Sequence, residues 1–312
     1  MQSILGRVAG FKKHPVFQIS HLNTLKYNHL SKYYCLIAGL PEIRSEEYKL
    51  LYNLGEFKEI LKENLDRKDF DLVMLFYRKF DNINLLNFLN SSGYQFDTRG
   101  SITTEMFAEL VRQLKEQEIQ KDARFPDYFR EFIPAFLSDL PIFSGIKWED
   151  QLTTLYFDAS GKCKNRFISD WFGFNLAITN ILTAINCRNY SIDMTGAIVG
   201  TNELAETIRY STAKDFEISP LFPFLDEVMR ISEETDILER EKKIDLLKWS
   251  WIEERTFHYN FSIENIFAYL LQTEILERWI NLNPDNGSKV FKEFISRLRG
   301  SFQFPEEYKL NK

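Results

Sequence analysis

The residues able to do chemistry are few and scattered. Outside the first 30 residues one histidine remains, His258, within Thr256-Phe-His-Tyr-Asn-Phe261. A lone histidine among aromatic residues reads as a packed or capping side chain, not a general base. Cys35, Cys163 and Cys187 lie far apart and without CxxC spacing. They suit reduced thiols in a cytoplasmic protein, and neither a disulfide framework nor a His/Cys metal site is expected. The glycine-rich phosphate loops, the nucleophile elbow and the zinc-protease helix motif do not occur. Two carboxylates stand out because Glu274 and Glu277 fall in the apolar stretch 263–282, with Glu274 on the face of Phe267 and Leu271. A carboxylate there could be functional or paired, and a structural pair with Arg278, one turn on, or a partly wet edge is the expected reading. Glu239 and Lys243 read as an ordinary solvated helix face. No catalytic residue, cofactor or metal is assigned.

The elements that carry these residues read as helices used more than once. Residues 84–102 and 180–198 align without a gap. Asn84/Asn180, Leu86/Leu182, Asn90/Asn186, Tyr94/Tyr190, Asp97/Asp193, Gly100/Gly196 and Ile102/Ile198 are identical, seven of nineteen positions. About one identity is expected by chance. Phe167, Trp171, Phe174, Ile178, Ile181 and Ile185 step by three and four ahead of the second copy, and Val73, Phe76, Phe80 and Ile83 do so in the first. Such steps draw one apolar seam along a helix. Asn90-Ser-Ser-Gly93 and Asn186-Cys-Arg-Asn189 then supply residues that tolerate a left-handed exit. The unit is a helix, a tight exit, a short connector and a second helix. Asn84 and Asn180 are expected to tie neighbouring backbone, and Asp97 and Asp193 to cap the next helix or close the connector. Tyr94, Tyr190, Gly100 and Gly196 complete the repeated structural set.

Helical patterns run over 46–63, 67–90, 103–118, 148–157, 166–187, 201–210, 221–232, 236–255, 262–282 and 288–299, after a first element stopped by Leu40-Pro41. Pro126, Pro134 and Pro141, then Pro220 and Pro223, are expected breaks. Leu36–Ala38 and Ala197–Val199 are short, ambiguous strand candidates. The class is all-α. Residues 1–31 hold His14, His21, His29 and Lys12-Lys13 without periodicity, and read as a flexible extension or translation from an upstream start. Residues 32–312 read as one body of three repeats of about 96 residues (32–125, 126–220 and 221–312). At 44% hydrophobic residues the chain can bury a large core, and a net charge of −6 with no basic stripe excludes a general nucleic-acid binder. No apolar run is long enough to span a bilayer.

Tyr33-Tyr-Cys-Leu-Ile-Ala-Gly-Leu-Pro-Glu42, Phe80-Asp-Asn-Ile-Asn-Leu-Leu86, Phe257-His-Tyr-Asn-Phe-Ser-Ile-Glu264 and Glu274-Ile-Leu-Glu-Arg-Trp279 resemble a bacterial family typical of Bacteroides relatives. That family is encoded with V-type ATPases and is similar to the socket component of those enzymes, the one designated C in bacteria and d in eukaryotes. The resemblance covers roughly residues 32–300. It implies a funnel of three helical repeats in pseudo-threefold order, a socket between the central stalk and the membrane rotor ring. It also implies no bond chemistry, no cofactor and a cytoplasmic location peripheral to the inner membrane. A helical-repeat adaptor unrelated to rotary motors is the alternative, and a helical enzyme a third reading that would need a deep polar pocket.

Overall fold

The computed structural model describes residues 32–44, 50–91, 95–116 and 122–282. Among them are eleven helices and no strand. In order these are α1 (Tyr34–Gly39), α2 (Leu54–Asn64), α3 (Arg67–Leu89), α4 (Thr104–Lys115), α5 (Phe129–Leu137), α6 (Trp148–Gly161), α7 (Arg166–Asn189), α8 (Glu203–Tyr210), α9 (Leu225–Ser232), α10 (Ile237–Thr256) and α11 (Ile263–Asn281). The protein is all-α over the described residues. The expected extension 1–31, the helix at 288–299 and the end of the third unit lie outside them.

The long helices form where the apolar steps are regular. On α7, Phe167, Trp171, Phe174, Ile178 and Ile181 are buried, and Ile185 packs partly buried on the same core. The seam on α3 holds through Val73, Phe76 and Phe80, but Ile83 is 49% exposed and Leu85 takes the buried place. Asn165 opens α7 by accepting from the Ile168 amide at 3.2 Å, and Asp66 opens α3 by accepting from the Asp69 amide at 2.9 Å.

Three sequence expectations fail for local reasons. Of the helix expected over 46–63, residues 46–49 lie outside the described residues and 50–53 are not helical; α2 begins at Leu54, because Asn53 and Glu56 form a reciprocal capping box at 2.9 and 3.0 Å. Pro134 does not break the chain but sits inside α5. It forfeits one backbone bond, while Phe129, Phe132 and Ile133 are fully buried and Phe132 meets Trp148 edge-on at 5.8 Å. Neither strand candidate forms. Leu36–Ala38 belongs to α1, and 197–199 is a connector without a strand partner.

Helix pairs carry the architecture. α3 is tied to the start of α2, where the Tyr77 hydroxyl donates to the Leu54 carbonyl at 2.8 Å. α6 packs on α7, and α10 on α11. α3 joins the first pair to α6, where the Tyr156 hydroxyl donates to the Leu75 carbonyl at 3.0 Å. α7 and α9 join the second pair to α11 and α10. Trp251 of α10 stacks on Phe174 at 4.9 Å and on Phe167 at 5.7 Å. Finally α11 packs on α2, so the last described helix returns to the first pair.

Candidate functional site

Where α3, α6, α7, α10 and α11 converge they leave a cavity of about 470 Å³. Its aromatic walls are Phe76, Tyr156, Phe157, Trp171 and Phe172. Between them stand cations from three helices, Lys79 of α3, Lys248 of α10 and Arg278 of α11. Lys79 pairs with Glu274 and lies 3.9 Å from the Phe76 ring centre. Arg278 pairs with Asp245, and its other arm reaches Glu241 at 3.3 Å. The Trp279 indole also donates to Asp245, at 2.8 Å. Burial sets the proton affinities here. It lowers the pKa of Lys79 and Lys248 and raises that of Asp245, each opposed by a neighbouring opposite charge. The expected Glu274–Arg278 pair is therefore wrong. Packing of α11 against α3 and α10 offers each side chain a partner from another helix in place of its neighbour one turn away.

Among the described repeated residues Leu86 lines this cavity, while Asn84, Asn180, Asp97, Asp193, Gly100 and Gly196 lie outside its lining, at the two connectors. Asn84 clamps the backbone of Asp97, donating to its carbonyl at 2.9 Å and accepting from its amide at 2.8 Å. Asn180 makes the same reciprocal pair with Val199, at 2.7 and 3.1 Å. The partners differ by more than the gapless register allows. Asp97 lies thirteen residues beyond Asn84, and Val199 nineteen beyond Asn180. Helix ends explain this. The N-cap pairs Asp66/Asn165 and Thr103/Asn202 are each 99 residues apart, and the left-handed exits fall on Ser91 and Ser191. Counted from the caps, Asn180 takes the place of Asp81, not of Asn84. Asp81 does the matching work, its carboxylate accepting from the amides of Ser101 and Ile102 at 2.6 and 3.0 Å.

Asp97 and Asp193 do not cap the following helices, which are capped by Thr103 and Asn202. Each closes its own turn instead, accepting from the amide of Arg99 at 2.9 Å or of Thr195 at 3.0 Å. Both carboxyls sit below their ordinary pKa, Asp97 through the Arg99 side chain and Asp193 through the Thr195 hydroxyl. Gly100 and Gly196 allow close approach. A Cβ on Gly100 would come 2.6 Å from Asn84 Nδ2, and one on Gly196 would come 2.7 Å from the Gly145 carbonyl. Tyr190 is 75% exposed at the end of α7, and Tyr94 lies outside the described residues.

Of the remaining candidates, His258 is exposed and meets Phe257 edge-on at 5.2 Å, so it is neither packed nor a cap. Glu239 and Lys243 are exposed on α10, as a solvated face requires, Glu239 pairing with Lys242 and Lys243 with Glu234. Cys35, Cys163 and Cys187 are free thiols. No group of three or more metal-ligating side chains occurs among the described residues, and none of the described helices is long and apolar enough to cross a membrane. Lys79, Asn175, Asp245 and Lys248 were not legible as site residues. The one signal was placement, since Lys79 lies between Phe76 and Phe80, and Asp245 and Lys248 flank Leu247 and Trp249.

No curated protein and no solved structure matches the chain. A family model described as Protein of unknown function (DUF2764) matches residues 30–301, well over half of the sequence, and the chain belongs to that family.

Proposed function

We propose that the protein is a non-catalytic coupling component of a V-type rotary ATPase, a socket of three helical units between the central stalk and the membrane rotor ring. The observation that carries this reading is closure. α11 packs on α2, the Glu277 carboxylate accepts from the Leu54 amide at 2.7 Å, and Glu274 pairs with Lys79 of α3. An adaptor solenoid keeps its first and last units apart and caps each with a polar face. A socket must close, because torque applied to one wall has to be borne by the others. On this reading α2 with α3, α6 with α7 and α10 with α11 are the three walls; α6 packs on α7 and α10 on α11, the Tyr77 hydroxyl ties α3 to α2, and the junctions α3 to α6, α7 to α11 and α11 to α2 join them in turn.

Exposed apolar side chains add support. Ile83 on α3, Tyr190 and Ile192 after α7, and Ile237 and Leu238 at the start of α10 are all more than 45% exposed. Large apolar side chains left in solvent suit contact with a protein partner. On this reading the chain sits on the cytoplasmic side, peripheral to the membrane through its complex, and drives no bond chemistry of its own.

Affinity capture of the chain from its native membranes, read by mass spectrometry, tests the proposal. Co-purification of the catalytic, stalk and ring proteins of a V-type ATPase is the expected result. A clean preparation from membranes shown to contain the motor would overturn it and leave the free-standing adaptor.

A further inference from the structure

Where the last described helix returns to the first pair, an open groove of about 740 Å³ lies between the end of α11, the start of α2 and the turn 97–99. Its apolar lining is Leu50, Leu51 and Ile280, and Leu51 is 65% exposed. Leu282, next in the chain to the lining residue Asn281, is 56% exposed. The charged lining is three carboxylates, Glu56, Asp97 and Glu277, against one guanidinium, Arg99. Asp97 takes Arg99 at 2.6 Å. Glu56 and Glu277 accept the Asn53 and Leu54 amides at 3.0 and 2.7 Å, and neither forms an ion pair among the described residues. The groove is thus partly apolar and carries an excess of negative charge.

The described residues end beside this groove, and residues 283–312 follow. Asn283-Pro-Asp-Asn-Gly287 reaches at most about 17 Å, and a connection of that length joins neighbouring helices. The sequence pattern over 288–299 then puts Val290, Phe291, Phe294, Ile295 and Leu298 on one helical face. Arg297 borders one edge of that face, and Lys292 and Arg299 border the other, with Lys289 and the single acid, Glu293, behind. Such a face needs cover within reach of Leu282, and its flanking cations match the carboxylates left without a cation. Size agrees as well. A helix of about 10–12 Å diameter fills this volume with about five residues fully sunk or about ten half-sunk.

We propose that this groove is the docking site of the chain's own residues 288–299, with the apolar face on Leu50, Leu51 and Ile280 and the flanking cations toward Glu56 and Glu277. Docked there, the segment latches the seam at which α11 meets α2. The inference goes beyond the coupling role and stands without it, since both partners belong to this chain.

A benzophenone side chain in place of Leu51 of the full chain, irradiated in dilute solution and mapped by mass spectrometry, tests this. Cross-links within one chain to peptides from 288–299 are expected. Products of dimer mass would put a second copy in the groove and overturn the proposal. Cross-links only to other parts of the chain, or none, overturn it equally. Hydrogen exchange supplies a second arm that does not depend on the inserted group. Phe291→Asp together with Phe294→Asp should speed exchange of the 50–56 amides about tenfold by freeing the groove. The α7 amides, outside its lining, should keep wild-type protection and so report an intact fold. Unchanged exchange over 50–56 in that folded variant also overturns the proposal.

Discussion

The connectors after α3 and α7 solve one problem in two ways. Each must carry a short irregular backbone from the exit of a long helix to the cap of a short one, partly inside the core. Its amides and carbonyls then need partners that water cannot supply. The first connector, besides the neutral Asn84 clamp on Asp97, is tied by charge. The Asp81 carboxylate, itself paired with Arg78 at 3.1 Å, accepts from two amides, and Lys58 donates to the carbonyls of Arg99 and Gly100 at 2.9 and 2.8 Å. The second has a larger neutral share. Asn180 clamps Val199 and the Thr154 hydroxyl accepts from the Gly200 amide at 3.1 Å, while charge comes from Arg209 on the carbonyls of Ile198 and Gly200, from Asp158 on the Thr201 amide at 3.2 Å and from Asp193 on the Thr195 amide at 3.0 Å. The difference teaches that what recurs is the demand for backbone partners. The residue that meets it changes from carboxylate to amide and from a lysine before the connector to an arginine after it.

The comparison breaks most sharply at its buried anchors. Asp81→Ala leaves two amides and the Arg78 guanidinium without their acceptor, and should cost about 3–5 kcal/mol. Asn180→Ala strands one donor and one acceptor of a neutral pair, for about 2 kcal/mol. Urea unfolding of the two variants checks the order, and equal losses would erase the distinction between charged and neutral ties. Next come the glycines. Gly100→Ala drives a Cβ into the Asn84 and Asp81 side chains and Gly196→Ala drives one into a backbone carbonyl, so each should cost about 2 kcal/mol. Protection of the 95–102 amides against hydrogen exchange should fall only in the first variant.

A smaller effect is expected at Lys58. Lys58→Met removes two donors but also a partly desolvated charge, whose pKa burial lowers. A net loss of about 1 kcal/mol is expected from the same unfolding curves. The smallest effect is a pH dependence. The folded pKa of Asp97 lies below its ordinary value of 3.8, chiefly through Arg99. Its ionised form therefore contributes stability that is present above the unfolded pKa and lost as pH falls through the folded one. Comparing unfolding midpoints from about pH 5 down to about pH 2.5, Asp97→Asn should lie below the wild type at the upper end and converge with it at the lower (the window follows the ordinary carboxylate range). The exposed Asp193 should show the same sign and less amplitude. A larger effect at Asp193 would mean that burial does not govern these turns.

How much of this was legible follows the range of each interaction. The α7 seam is readable residue by residue, because a step of three and four is local and the buried face follows from it. The cap at Asn53 and the continuation of α5 through Pro134 are not. In the first a local box outweighs a permissive pattern, and in the second burial of Phe132 and Ile133 outweighs a local breaker. The repeated asparagines and their backbone-tying role are visible in the sequence, yet the register is not. Gapless identity places Asn180 opposite Asn84, whereas the helix caps place it opposite Asp81, about one turn deeper.

The cavity marks the boundary more plainly. Sequence alone determined that the chain is helical, that its long helices carry apolar faces and that its usual catalytic motifs are absent, since composition and period are properties of neighbouring residues. Only the tertiary structure decided that Glu274 meets Lys79, that Arg278 meets Asp245 and that Lys248 and Asn175 face a shared space. Those residues lie up to 195 positions apart. Which partner a buried charge finds depends on which helices pack against it, and no local pattern in the chain encodes that choice.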